Sequence, residues 1–425
     1  MTEQTSVRSV YRLPGFITFL LVAFINAAVD LGHKIIIQNT IFKTYDDAQQ
    51  VMLTAIVNGL ILLPFILAFT PSGFLADRFS KPRIMQWSAQ AAIVITLLIT
   101  LSYYQGWFKF AFIMTFILAL QSAIYSPAKY GYIREIAGDH RLAAGNGMVQ
   151  ATTIVAILSG IFLFSIMFES QLQDQIYHSE QDIIRLIAPI GWVLVGLSTI
   201  EWLLATRLHS FISNSNTAIF NWQHYRRGKL LKNNLRTVTK MPVIWLSILA
   251  LSLFWGISQT LLATFPAFAK AVLNESNTVI IQGLLACSGL GIIIGSLTAG
   301  KLTNDKLATK LIISGYLGLI SILFILPELD SIIGFICAIL GFGVFGGLLI
   351  VPLNTLIQHH APPEQLGTIL AGNNWLQNIV MIGFLLITML AALFNTDSYL
   401  IMMFLPIITI IVCLYLGLKM IKRFS

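Results

Sequence analysis

Long apolar runs separated by short polar breaks dominate the chain, and about 20 such residues are what a bilayer core requires of a helix. They predict spans near 14–42, 50–75, 84–104, 108–128, 141–168 and 184–206, then 242–270, 278–300, 309–327, 331–357, 366–394 and 397–420. The most informative break lies inside the first span, at Asn26-Ala-Ala-Val-Asp30-Leu-Gly-His33-Lys34-Ile-Ile-Ile-Gln38. At about 100° per residue, Asn26, Asp30, His33, Lys34 and Gln38 share one arc of roughly 140°. An ionisable side chain at the bilayer centre costs about 2.5–3.5 kcal/mol, so this arc must face a water-filled interior and not lipid. Asp30 precedes Lys34 by four residues, the attractive order on a helix, and the two are expected to share an ion pair. Such a pair serves either helix packing or a substrate or coupling-ion site.

Composition turns the pattern into a class. Of 425 residues, 56% are hydrophobic and 10% charged, with mean hydropathy +0.81, which excludes a soluble domain. Cys287, Cys337 and Cys413 are scattered through apolar runs, so neither a disulfide framework nor a metal site is indicated, and they read as packing residues. Arg8, Arg12 and Pro14 precede the first run without a small-residue cleavage site, so that run reads as a retained span. Charge then orients the set: 20 of the 26 Lys and Arg fall on the N-terminus, the even-to-odd loops and the C-terminus. The opposite loops hold only Lys43, Lys109, Arg185 and Lys270, which places both termini in the cytoplasm. Asp46, Asp47, Glu169, Asp174, Glu180 and Asp182 show the reverse bias, so the net charge of +8 is a basic inner face suited to anionic lipid headgroups, with no nucleic acid implied.

Residues 207–241 form the one long polar stretch and divide six spans from six, giving an N-terminal half 1–206 and a C-terminal half 242–425. The cations Arg226, Arg227, Lys229, Lys232, Arg236 and Lys240, interleaved with Phe220, Trp222 and Tyr225, predict an interfacial helix on the inner leaflet. The halves also echo each other. Pro127 followed by Ala144-Gly145-Asn146-Gly147-Met148-Val149-Gln150 is matched by Pro352 followed by Ala371-Gly372-Asn373-Asn374-Trp375-Leu376-Gln377. Gly73-Phe-Leu-Ala-Asp77-Arg78 has a worn counterpart in Gly300-Lys-Leu-Thr-Asn304-Asp305. Parallel repeats of this kind are a transporter signature.

Gly73-Phe-Leu-Ala-Asp77-Arg78-Phe-Ser-Lys81-Pro-Arg83 resembles the loop between helices two and three of the major facilitator superfamily. That resemblance implies an all-α membrane protein of twelve transmembrane helices in two rocking six-helix halves. Physically, Gly73 permits close helix approach, while Asp77 with Arg78, Lys81 and Arg83 can form an ion-pair network that closes in one state and breaks in another. Tyr125-Ser-Pro-Ala-Lys129-Tyr-Gly131 is narrower and resembles the bacterial lysophospholipid transporter family, including members fused to acyltransferase and acyl-ligase domains. Asp30, Ala144-Gly145-Asn146-Gly147, Leu253-Phe-Trp-Gly256 and Val351-Pro-Leu-Asn354 extend that likeness along the chain. There are departures: many relatives read Gly-Asp-Asn where this chain has Val29-Asp30-Leu31, and single-domain members carry an arginine near the position of Leu262. Gln259-Thr-Leu-Leu-Ala-Thr-Phe-Pro266 is closer to the fused kind.

The resemblance implies a non-enzymatic, cofactor-free transporter that moves lysophospholipids such as lysophosphatidylethanolamine from the outer to the inner leaflet of a bacterial inner membrane. A separate acyltransferase is an implied partner. Substrate would meet Asp30, Lys34, Lys129, Asn26, Gln38, Asn146, Asn354 and Gln259, with Lys129 taking the phosphate and Asp30 a cationic amine. Pro127 should kink its helix beside Lys129, which the span boundary at 128 puts toward the inner end. Asn354, Thr355 and Gln358 follow Pro352 and offer neutral hydrogen bonds, to substrate or between helices. Two other readings stand beside this one: a proton-coupled exporter of drugs or siderophores with Asp30 as proton carrier, and a membrane scaffold for the acyltransferase. Gly289-Leu-Gly291-Ile-Ile-Ile-Gly295 is a close-packing face and not a dinucleotide loop, and Gly341, Gly343, Gly346 and Gly347 read the same way. His359, His360 and Glu364 lack further ligands, and Glu201, near the inner end of its span beside Trp202, reads as an interfacial carboxylate before a cavity residue.

Overall fold

The computed structural model describes residues 10–45, 47–210, 220–273, 278–303, 308–394 and 398–424, and among these there is no strand. The helices are α1 Phe16–Thr44, α2 Asp47–Leu67, α3 Phe69–Arg78, α4 Lys81–Gln105, α5 Phe108–Ala137, α6 Leu142–Leu172, α7 Glu180–Leu186 and α8 Ile190–Ala205. They continue with α9 Trp222–Arg226, α10 Lys229–Lys240, α11 Pro242–Leu273, α12 Thr278–Leu302, α13 Ala308–Ile325, α14 Ile332–His360, α15 Leu366–Leu393 and α16 Ser398–Phe424. Nine helices among the described residues are long and apolar enough to cross a membrane, and two bent pairs raise this to 11, with a shorter apolar stretch at Tyr399–Leu414.

The bends correct two expected spans. The span expected at 50–75 is α2 and α3, turned by 54° at Ala68 four residues after Pro64, and the span at 184–206 is α7 and α8, turned by 57° around Pro189. The fourth span is also longer than expected, because α5 continues through Pro127 to Ala137. Lys129 therefore stands two turns inside a helix and not at its edge. Gly138, at φ +66°, ends that helix in a conformation that L side chains rarely adopt.

Burial is arranged for lipid. Val94, Leu97 and Leu101 on α4, Phe162 and Ile166 on α6, Ile313 and Leu317 on α13, and Ile387 and Leu390 on α15 are all exposed, while polar side chains turn inward. Two apolar cores draw on residues between Val10 and Leu208, and another on residues between Val238 and Leu405 together with Ile154. Glycines set the closest contacts. A Cβ on Gly291 would meet the Leu340 carbonyl, and one on Gly343 the Ser288 carbonyl, so α12 and α14 pack backbone to backbone, as the glycine pattern predicted.

The polar stretch before α11 differs from expectation. Val238 of α10 is buried beside Gly372 of α15, and Phe220 packs edge-on against Phe74 of α3 at 5.1 Å. Val238 and Phe220 thus dock the stretch onto the bundle, while Trp222 and Leu231 stay exposed. Arg226, Arg227, Lys229, Lys232, Arg236 and Lys240 point outward. Asp46, Asn304 and Asp305, and residues 211–219 of the linker, lie outside the described residues.

Candidate functional site

The helical pitch carries Asn26, Asp30, Lys34 and Gln38 down one side of α1, yet the expected Asp30–Lys34 ion pair does not form. Asp30 Oδ2 instead accepts a hydrogen bond from Ser122 Oγ of α5, and Lys129, two turns further along α5, is near enough for its charge to act on Asp30. A pairing between helices wins because Ser122 and Lys129, seven residues apart, present one face of α5 to α1. Lys129 also lies over the ring of Tyr130, 4.9 Å from its centroid, where a cation meets the negative face of the π system. The two opposite charges of the site therefore stand on different helices. His33, at the margin of the arc, belongs to packing: it is fully buried, with Nδ1 2.7 Å from the Tyr103 hydroxyl and Nε2 3.1 Å from the Ala111 carbonyl.

Glu201 overturns its interfacial reading. It is fully buried on α8, and Oε1 accepts from Asn26 Nδ2 at 3.2 Å. Gln38 Nε2 reaches Asn58 Oδ1 of α2 at 3.5 Å, at the limit of a hydrogen bond. Lys34 is half-buried, as is Gln259 on α11, which takes part in none of the hydrogen bonds among the described residues. A groove of about 630 Å³ opens elsewhere, between Lys43 and Glu169, Gln173 and Tyr177, where Lys43 pairs with Glu169 at 3.0 Å.

The remaining amides tie the two sets of helices together. Asn146 of α6 and Gln358 of α14 exchange hydrogen bonds at 3.1 and 3.0 Å, and Asn146 also reaches Thr355 Oγ1 at 3.2 Å. On the other side of the repeat, Asn374 of α15 donates to Ser126 of α5 at 2.8 Å, next to Pro127. Each copy of the repeated Ala-Gly-Asn motif thus touches the proline-bearing helix of the opposite half. Asn354 turns its amide onto its own helix, at 3.0 Å from the Ile350 carbonyl, four residues back.

At the end of the bundle where α3 meets α4, Asp77 lies near enough to Lys81 for the charges to act on each other, and it also reaches across to the other set of helices. Its carboxylate caps the start of α15: Oδ1 accepts from Gly367 N at 2.6 Å, and Oδ2 from Thr368 N at 3.0 Å and Thr368 Oγ1 at 2.6 Å. An anion at a helix N-terminus satisfies otherwise unpaired N–H groups and complements the dipole. Gly73 makes this possible, since a Cβ there would lie 2.8 Å from Thr368 Cα. Lys81, 2% exposed, reaches Glu135 of α5 at 3.7 Å and the Ala76 carbonyl at 2.7 Å. Arg78 lies over the Phe74 and Phe79 rings, and Arg83 is exposed. A second crosslink escaped the sequence reading: Arg134 Nη1 donates to the Gln358 and Ala361 carbonyls at 2.7 Å each, capping the far end of α14, while its Nε pairs with Asp139.

What the sequence could have shown is the polar stripe Gln121, Ser122, Tyr125, Lys129 at helical spacing on α5. Glu201 carried no such signal, because its partner Asn26 is 175 residues away.

The sequence model of the Major Facilitator Superfamily matches residues 15–384. The chain is 27% identical over 346 residues to a lysophospholipid transporter LplT of Photorhabdus laumondii, covering 79% of this chain and 78% of that protein. It is 26% identical to one of Klebsiella pneumoniae over 338 residues, with 79% and 77% covered. Among solved structures, FucP in the outward conformation superposes with a TM-score of 0.72 at 12% identity, covering 96% of this chain and 99% of that one. A bacterial homologue of the iron transporter ferroportin in an outward-facing state gives 0.67 at 14% identity, covering 95% and 100%.

Proposed function

This chain belongs to the Major Facilitator Superfamily, and from that premise we propose that it carries lysophospholipids such as lysophosphatidylethanolamine from the outer to the inner leaflet of a bacterial inner membrane. The observation that carries the reading is the placement of Asp30 on α1 and Lys129 on α5, opposite charges acting on each other inside membrane-spanning helices. A zwitterionic headgroup needs both signs within reach, the phosphate at Lys129 and the amine at Asp30. The names of the relatives point to the same substrate class.

Alternating access follows from two halves, residues 1–206 and 242–425, rocking about this site with 207–241 between them. Asp77 on the α15 terminus and Arg134 on the α14 terminus hold one end shut, and each is a contact that opening must break. The bias of positive charge makes that end cytoplasmic, with both termini on the same side, so these contacts close the bundle toward the cytoplasm. Asn26, Lys34, Gln38, Asn146, Asn354 and Gln259 complete the polar path in our reading, Asn146 becoming available once its bonds to Gln358 and Thr355 break. A lysolipid delivered inward carries a free hydroxyl that a separate acyltransferase would esterify.

Purified protein in proteoliposomes should take up labelled lysophosphatidylethanolamine added outside, and empty liposomes should not. Equal uptake in both would sink the proposal.

A further inference from the structure

Glu201 is a buried carboxylate for which the headgroup site has so far found no use. It is fully buried on α8, and Asn26 satisfies only Oε1; Oε2 has no partner among the described residues. Leaving a buried carboxyl oxygen without a partner is costly, and such atoms call for an explanation. Of the eight other buried polar atoms in this condition among the described residues, three lie on the helices that face Glu201: Asp30 Oδ1, the hydroxyl of Tyr125, which is 1% exposed, and Gln121 Nε2.

These atoms are not scattered. Asn26 and Asp30 are one turn apart on α1, Gln121 and Tyr125 one turn apart on α5, and Ser122 between the latter binds Asp30. The charges of Glu201 and Asp30 both act on the Tyr125 hydroxyl, and Asp30 also acts on Glu201. Three helices thus bring Glu201, Asp30 and Tyr125 into one neighbourhood, linked through Asn26 and Ser122, with Lys129 near enough for its charge to act on Asp30. Two carboxylates and a phenol oxygen can together supply three acceptors, the number that matches the three N–H donors of a primary ammonium group. A quaternary ammonium has no N–H to offer them.

Resting on the lysolipid reading above, we propose that Glu201, with Asp30 and Tyr125, forms a subsite for a primary ammonium and sets the headgroup preference of the transporter. Glu201 adds the second negative charge that favours an amine over an uncharged glycerol headgroup, and its unpartnered oxygen favours N–H over N-methyl. Asn26 positions it from the α1 side.

The test is uptake into proteoliposomes of lysophosphatidylethanolamine, its N-methyl and N,N-dimethyl forms, lysophosphatidylcholine and lysophosphatidylglycerol. In the wild type, uptake should fall stepwise along the methyl series, by more than about 100-fold overall, as charge-assisted hydrogen bonds are removed one by one. Glu201→Gln should flatten the series and cost lysophosphatidylethanolamine more uptake than lysophosphatidylglycerol, and Glu201→Asp, which keeps the charge, should retain the preference. A purely structural role for Glu201 would lower uptake of every headgroup alike, and that result overturns the subsite. So does a flat series in the wild type, which needs no variant to fold. No uptake of any lysolipid by the wild type would instead defeat the transport reading, and the subsite with it.

Discussion

The interiors of the two sets of helices are built from different chemistry. Between α1 and α8, Asp77, Lys81 and Glu201 are buried and Asp30, Lys34 and Lys129 half-buried, whereas beyond residue 241 no charged side chain is buried among those described. The second interior is satisfied by neutral groups: Thr260 faces Thr388 at 3.1 Å, Gln377 donates to Asn373 at 2.6 Å, and Asn378 bonds the Asn374 carbonyl. The difference teaches a division of labour. Charges in a membrane are expensive and are kept where a charged ligand repays them, while neutral hydrogen bonds and glycine contacts suffice to hold and slide helices. In our reading one half grips the headgroup and the other supplies a surface to move against.

Breaking the charged side should have the largest effect. Lys129→Ala should reduce uptake of every phosphate-bearing lysolipid by about 100-fold, the order expected when a charge-assisted hydrogen bond of 2–3 kcal/mol is lost. Full activity of that variant in proteoliposomes would remove the phosphate site and with it the contrast between the halves.

An intermediate effect is expected where the halves meet. Asp77→Asn keeps the shape of the side chain but weakens its grip on the α15 terminus, and should shift the balance between inward- and outward-open states about tenfold, or about 1.4 kcal/mol. Distances between spin labels on the two ends of the bundle would report the shift, with headgroup affinity unchanged within each state. Weaker binding without a population change would place Asp77 in the substrate path.

The smallest effect should come from the neutral side. Thr388→Val removes the Thr260 partner while preserving shape, and should change uptake by no more than about threefold for every headgroup, the equivalent of the mean of about 0.6 kcal/mol for hydrogen bonds between membrane helices. A headgroup-dependent change would show that the second half reads the substrate as well.

The sequence alone determined the membrane class, the existence and approximate extent of the spans, the polar arc on α1, and the close packing at Gly291 and Gly343. These follow from periodicity and local chemistry, which need no knowledge of neighbours. The repeated motifs around Asn146 and Asn374 were legible too, although not that each would reach across to the helix bearing Pro352 or Pro127. Only the tertiary structure decided the partners of the charges. Asp30 chose Ser122 and the neighbourhood of Lys129 over Lys34, Asp77 reached the backbone of α15 while staying near Lys81, and Glu201 went inside to meet Asn26. The reason is physical: in a low-dielectric interior a charge is stabilised by whatever donors three-dimensional packing brings within reach, and those donors lay 92, 290 and 175 residues away.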